Sequence, residues 1–132
     1  ALISKDPLLG KSHYTIKKLW ISYQKKYEFN PNHIHHAYMS FVIWLKVPFT
    51  TEQENEASPG RNSIQSQAGK FEFTYSSITG DSMSYSIPVD ESYEGKIMLF
   101  PGGLSHCVYP FFSSDDYRIS AAGDVILKSN QL

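Results

Sequence analysis

Residues Tyr38 to Val47 read YMSFVIWLKV, an unbroken run without glycine or proline that Pro48 then stops. Met39, Phe41, Ile43, Leu45 and Val47 alternate with Tyr38, Ser40, Val42, Trp44 and Lys46, which is the period of a strand rather than of a helix. The same period recurs on both sides of this run. Phe71 to Ser77 places Phe71, Phe73 and Tyr75 on one face; Ser84 to Val89, Lys96 to Phe100 and Tyr117 to Lys128 predict three further strands, and Tyr14 to Phe29 predicts one or two. Only Asp6 to Lys11 has helical character. About six to eight short strands separated by regular turn signals predict an all-β domain of jelly-roll type with little helix.

The 132 residues suit one domain with one core. Twelve Lys and Arg against 13 Asp and Glu leave a net charge of -1, so there is no basic field to neutralise a phosphate backbone and no nucleic-acid partner is expected. No apolar run approaches the ~20 residues of a membrane helix, so no membrane partner is expected either. The lone Cys107 cannot close an internal disulfide, which fits a reducing, cytoplasmic setting. Ala1 opens the chain without a start Met, which leaves upstream elements open. One polar stretch interrupts the strands. Thr50 to Gly69 (TTEQENEASPGRNSIQSQAG) reads as a loop, and its length makes it either a candidate active-site lid or an unconstrained hairpin insertion.

The chemistry-bearing residues cluster. Asn30 to His36 (NPNHIHH) carries three of the five histidines. In an extended segment His33 and His35 share a face and His36 points away. If the register runs unbroken into the next strand, the same face carries Met39, Phe41, Ile43, Leu45 and Val47, and both imidazoles point inward. Buried imidazoles need partners for their ring nitrogens. A metal would supply one; backbone carbonyls or water are the alternative. The third candidate is His106, which follows the turn Pro101-Gly102-Gly103 at the start of another strand. Histidines from two strands meeting inside a barrel give a facial metal site with an open side. Farther on, Arg118 and Ser120 share a strand face, and an Arg fork beside a hydroxyl suits a carboxylate. The competing reading pairs Arg118 with Asp115 or Asp116 at the surface and turns Tyr117, Ile119, Ala121, Val125 and Leu127 inward. Trp44, Tyr38 and Tyr109 either line a pocket or pack the core, and Phe111-Phe112 marks either a patch through which two copies pair or a cover over one end of the barrel.

Phe29 to Pro48 (FNPNHIHHAYMSFVIWLKVP), Gly95 to His106 (GKIMLFPGGLSH) and Tyr117 to Ala122 (YRISAA) together resemble the iron(II)/2-oxoglutarate-dependent oxygenases of the prolyl-hydroxylase-like superfamily, over most of the chain from about Tyr14 to Leu127. The likeness is to a small branch found in marine bacteria, phage and environmental sequences. The resemblance implies a double-stranded β-helix with His33 and His106 as iron ligands, Arg118 on the far carboxylate of 2-oxoglutarate and Ser120 assisting it. It also implies that the Arg-x-Ser face turns into the barrel. The implied cofactors are iron(II) and 2-oxoglutarate, the latter decarboxylated to succinate as an unknown small-molecule or peptide substrate is oxidised. One departure stands out: the superfamily's usual motif has Asp or Glu two residues after the first ligand, where this chain has His35. Three neutral imidazoles leave a bound iron one unit more positive and suit zinc or copper well. Asp81, Glu72 or a water are the candidates for a third, oxygen ligand.

Gly95, Pro101, Gly103 and His106 also match the second cupin motif, G-x5-P-x-G-x2-H, with Pro110 where its final Asn belongs. His33-x-His35 would serve as the first cupin motif, without its Glu. A cupin-type dioxygenase holding its metal by His33, His35 and His106 needs no 2-oxoglutarate, so Arg118 separates the two readings. A degenerate jelly roll that only binds a ligand or partner is the third.

Overall fold

The computed structural model describes residues 12–129; the helical segment expected at Asp6 to Lys11 lies outside them. In chain order the described residues form β1 (Ser12–Gln24), β2 (Asn30–His33), β3 (Met39–Lys46), a helix α1 (Thr51–Ala57), β4 (Phe71–Ser76), β5 (Ser82–Ile87), β6 (Ile97–Pro101), β7 (Ser105–Val108) and β8 (Arg118–Ser129). The strands make two four-stranded antiparallel sheets, ordered β1-β8-β3-β6 and β2-β7-β4-β5. Apart from the β4-β5 hairpin, successive strands switch sheets, which is the interleaving of a jelly roll. The fold is the all-β double-stranded β-helix expected from the sequence.

Val42, Trp44, Phe71, Phe73 and Phe100 fill the core together with Val47, Phe49, Val89 and Phe111. Phe73 sits 5.1 Å from both Phe71 and Phe100, ring centre to ring centre, in edge-to-face contacts that add to the area these rings bury. The face of β3 turned inward is the opposite of the one expected. Ser40, Val42 and Trp44 are buried, while Met39, Phe41 and Ile43 are half-buried on the other side and Leu45 is exposed. The cause is local: residues 36–38 form a bend between β2 and β3. That bend resets the two-residue alternation, so His33 and His35 no longer report on the parity of β3.

The Thr50 to Gly69 stretch is not loop throughout. The Thr50 hydroxyl accepts from the Gln53 backbone N–H, and the Gln53 side chain accepts from the Thr50 N–H, a capping box that opens α1. Within α1, Glu54 is 1% exposed. Its carboxylate accepts from the backbone N–H of Phe112 (2.8 Å), from the backbone N–H of Ser113 (2.8 Å) and from the Ser113 hydroxyl. This ties the helix to the segment before β8. Phe111 consequently lies at 0% exposure with its ring 5.1 Å from Phe49, so it covers the barrel and is not half of an exposed patch. Among the described residues no helix is long and apolar enough to cross a membrane.

Glu54→Ala removes the buried acceptor of three hydrogen bonds. Chemical denaturation is expected to show a loss of about 3 kcal/mol, and an unchanged unfolding midpoint would contradict the anchoring role given to Glu54.

Candidate metal centre

Antiparallel pairing builds the first half of the site. His33 on β2 lies opposite His106 on β7, which in turn lies opposite Phe73 on β4. Cross-strand partners share a face, so both imidazoles project to the same side, with ring centres 4.3 Å apart. His35 arrives differently, from the irregular segment after β2. Its backbone N–H donates to the Gly102 carbonyl at 2.8 Å. A Cβ on Gly102 would sit 2.3 Å from the Ala37 carbonyl oxygen, so only glycine lets the Pro101-Gly102-Gly103 turn approach this closely. The His35 ring then stacks between Trp20 (5.6 Å, 11°) and His106 (5.2 Å, 7°). His36 is exposed on the far side, as expected.

One ligand nitrogen from each of His33, His35 and His106 lies within 4.8 Å of the other two. The opposite ring nitrogens explain their orientation. His33 Nδ1 bonds the Pro31 carbonyl at 2.7 Å and His106 Nδ1 bonds the Leu104 carbonyl at 2.9 Å. A carbonyl only accepts, so both rings carry the proton on Nδ1 and keep a lone pair on Nε2. His35 Nδ1 lies 2.9 Å from the Asp124 carboxylate, which imposes the same tautomer. Burial, reinforced by the two neighbouring imidazoles, pushes His106 down to about 4, so this ring is neutral and able to ligate at neutral pH. Three convergent imidazoles, each braced from behind, fit a divalent transition metal.

Neither carboxylate considered for the third position reaches the cluster. Glu72 accepts from Tyr109 Oη (2.9 Å) and from Ser86 Oγ (2.5 Å), and Asp81 is held by Ser77 and Thr79 in the β4-β5 turn. The acidic group beside the site is Asp124, 7% exposed, which also accepts from Ser40 Oγ at 2.9 Å. Sequence reasoning missed it.

Arg118 is 4% exposed and Tyr117 is exposed, so β8 turns its Arg-x-Ser face inward. Asp115 and Asp116 pair instead with Lys26 and Lys46. Burial lowers Arg118 to about 10, still a cation at neutral pH, and it lies against the Phe49 and Phe111 rings. The Arg118 Nε–H and one Nη2–H donate to the Gln24 side-chain oxygen at 3.1 and 2.6 Å; the Gly69 and Tyr109 carbonyls accept from Nη1 and Nη2. Gln24, also absent from the sequence reading, thus holds the edge of the fork that suits a carboxylate. Trp44 belongs to the core, Tyr38 is exposed and Tyr109 is bound to Glu72. A cavity of about 670 Å³ runs between the sheets and is lined by the three histidines, Trp20, Arg118 and Ser120 among others.

A family model described as "Putative 2OG-Fe(II) oxygenase" matches residues 18–124. The chain belongs to that family. The matched span encloses every group of this site, and the family's cofactors are iron(II) and 2-oxoglutarate. No match is found among curated proteins. In this family member the donor set fits the metal by chemistry and by orientation, and the buried fork of Arg118 fits a carboxylate.

His106→Ala is expected to weaken Mn(II) binding by more than about 100-fold in anaerobic calorimetry, with the far-ultraviolet spectrum of the folded protein retained. Stoichiometric binding by the variant would remove His106 from the ligand set.

Proposed function

We propose that this oxygenase is a 2-oxoglutarate-dependent dioxygenase in which His33, His35 and His106 hold iron(II) through their Nε2 atoms, and Arg118 with Ser120 holds the distal carboxylate of 2-oxoglutarate. The observation that carries this reading is the shared cavity: three braced imidazoles and a buried arginine fork line one space between the sheets. When bound, iron(II) and 2-oxoglutarate would let dioxygen, as the four-electron oxidant, convert 2-oxoglutarate to succinate and carbon dioxide and oxidise a substrate, here a small molecule or peptide.

The chain's own residues have three tasks. The imidazoles direct their Nε2 atoms at one another's side of the cavity while their Nδ1 atoms are held from behind. Arg118 exchanges the Gln24 oxygen for a carboxylate, a stronger acceptor in the same planar geometry. Trp20 against His35 and Phe100 against His106 make the histidine side of the cavity apolar, which strengthens electrostatic contacts within it. The free Cys107 suits a reducing cytoplasmic setting.

The all-imidazole set also favours a second reading, a cupin-type dioxygenase that needs no 2-oxoglutarate, and Arg118 discriminates. Arg118→Lys keeps the buried charge but loses the fork. Titration of the Mn(II)-loaded protein is expected to show 2-oxoglutarate binding about 10- to 100-fold weaker in this variant, with metal affinity unchanged and succinate production lowered in air. Equal affinity in both proteins returns Arg118 to a structural role and supports the cupin-type reading.

A further inference from the structure

We propose that Asp124 is the positioning carboxylate of the metal centre: from behind His35 it fixes that ring's Nδ1–H tautomer and supplies the negative charge that three imidazoles lack. This rests on the metal-centre reading above. It departs from the oxygen ligands that the sequence suggested, because Asp124 acts through His35 instead of touching the metal.

The placement is specific. Asp124 follows Arg118, Ser120 and Ala122 along the inward face of β8 and lies directly across from Ser40 in the β3-β8 pairing. Both its neighbours donate to the same oxygen: Ser40 Oγ and His35 Nδ1 each lie 2.9 Å from Oδ1. His33 and His106 are braced by carbonyls two residues upstream, Pro31 in β2 and Leu104 in the turn just before β7. His35 sits outside β2, at the edge of the bend, and is braced by a side chain from the opposite sheet. A carbonyl would have sufficed to set its tautomer; the chain uses a charged group instead.

Charge explains that choice. Asp124 is buried with only a hydroxyl and an imidazole as partners, and a dication one ring away compensates its charge. Formally, a dication with three neutral imidazoles and Asp124 carries +1. That is also the charge of a dication held by two imidazoles and one carboxylate. The centre therefore keeps the charge of a two-histidine, one-carboxylate site with the carboxylate moved outward by one imidazole. A carboxylate hydrogen-bonded to a ligating histidine also makes that ring a better donor.

Asp124→Asn preserves shape and an acceptor while deleting the charge. In anaerobic titrations its affinity for Mn(II) is expected to fall about 10- to 100-fold, and the visible spectrum of its Co(II) form is expected to shift. Ser40→Ala, which removes a bond from the same oxygen but leaves the charge, is expected to bind Mn(II) within about threefold of the wild type. The apo Asp124→Asn protein is expected to melt no lower than the wild type, since a buried charge has been removed. Nitrogen-15 NMR of the apo wild type gives a reading that needs no variant: His35 is expected as the Nδ1–H tautomer, and the Nε2–H form overturns the proposal. Wild-type and Asp124→Asn proteins that bind Mn(II) equally, with identical Co(II) spectra, overturn it while leaving the metal centre intact. A wild type that binds no divalent metal overturns both.

Discussion

Three imidazoles share one small volume between two sheets, and what makes that crowding tolerable is that each keeps its proton on the nitrogen facing away from the others. The carbonyls of Pro31 and Leu104 and the carboxylate of Asp124 enforce this arrangement. Without them the rings could rotate or exchange tautomers, and donors would point at donors. The rest of the barrel serves that constraint. The pairing of β2 with β7 sets His33 against His106, the close passage of Gly102 past Ala37 brings in His35, and the Trp20 ring limits how far His35 can tilt.

The second buried charge is handled by the same logic at the other end of the inward row on β8. Arg118 is enclosed by the Gln24 side-chain oxygen, two carbonyls and two aromatic rings, and the nearby Glu54 carboxylate favours its charged form. Helix α1 therefore does more than connect β3 to β4, because it carries that carboxylate into the interior and pins the segment before β8. Arg118, Ser120, Ala122 and Asp124 follow one another along one strand face, and in the proposed reading the first two take the 2-oxoglutarate carboxylate while Asp124 braces His35.

Much of this was legible in the chain. The strand alternation marked the jelly roll, and His33, His35, His106 and Arg118 stand out as residue types whose chemistry needs company. Other features depended on information that sequence spacing does not carry. The inward face of β3 was misjudged because nothing in His36-Ala37-Tyr38 announces a bend that resets the alternation. Asp124 and Gln24 reach their partners only through strand pairing across most of the chain, and a two-residue period cannot say which strand lies beside which. Helix α1 was different, since Thr50 and Gln53 have the spacing of a capping box. That local signal was outweighed by the polar, turn-rich sequence that follows.

The central claim is that one cavity holds both a divalent metal and 2-oxoglutarate. An anaerobic thermal-shift series on the wild-type protein tests it most directly: iron(II) alone, 2-oxoglutarate alone, then both, with succinate as the control. A ligand bound only by the folded state must raise the melting temperature. The account predicts a rise with iron(II), a further rise when 2-oxoglutarate follows the metal, and a smaller one with succinate. No rise with iron(II), or a 2-oxoglutarate shift indifferent to the metal, would contradict it.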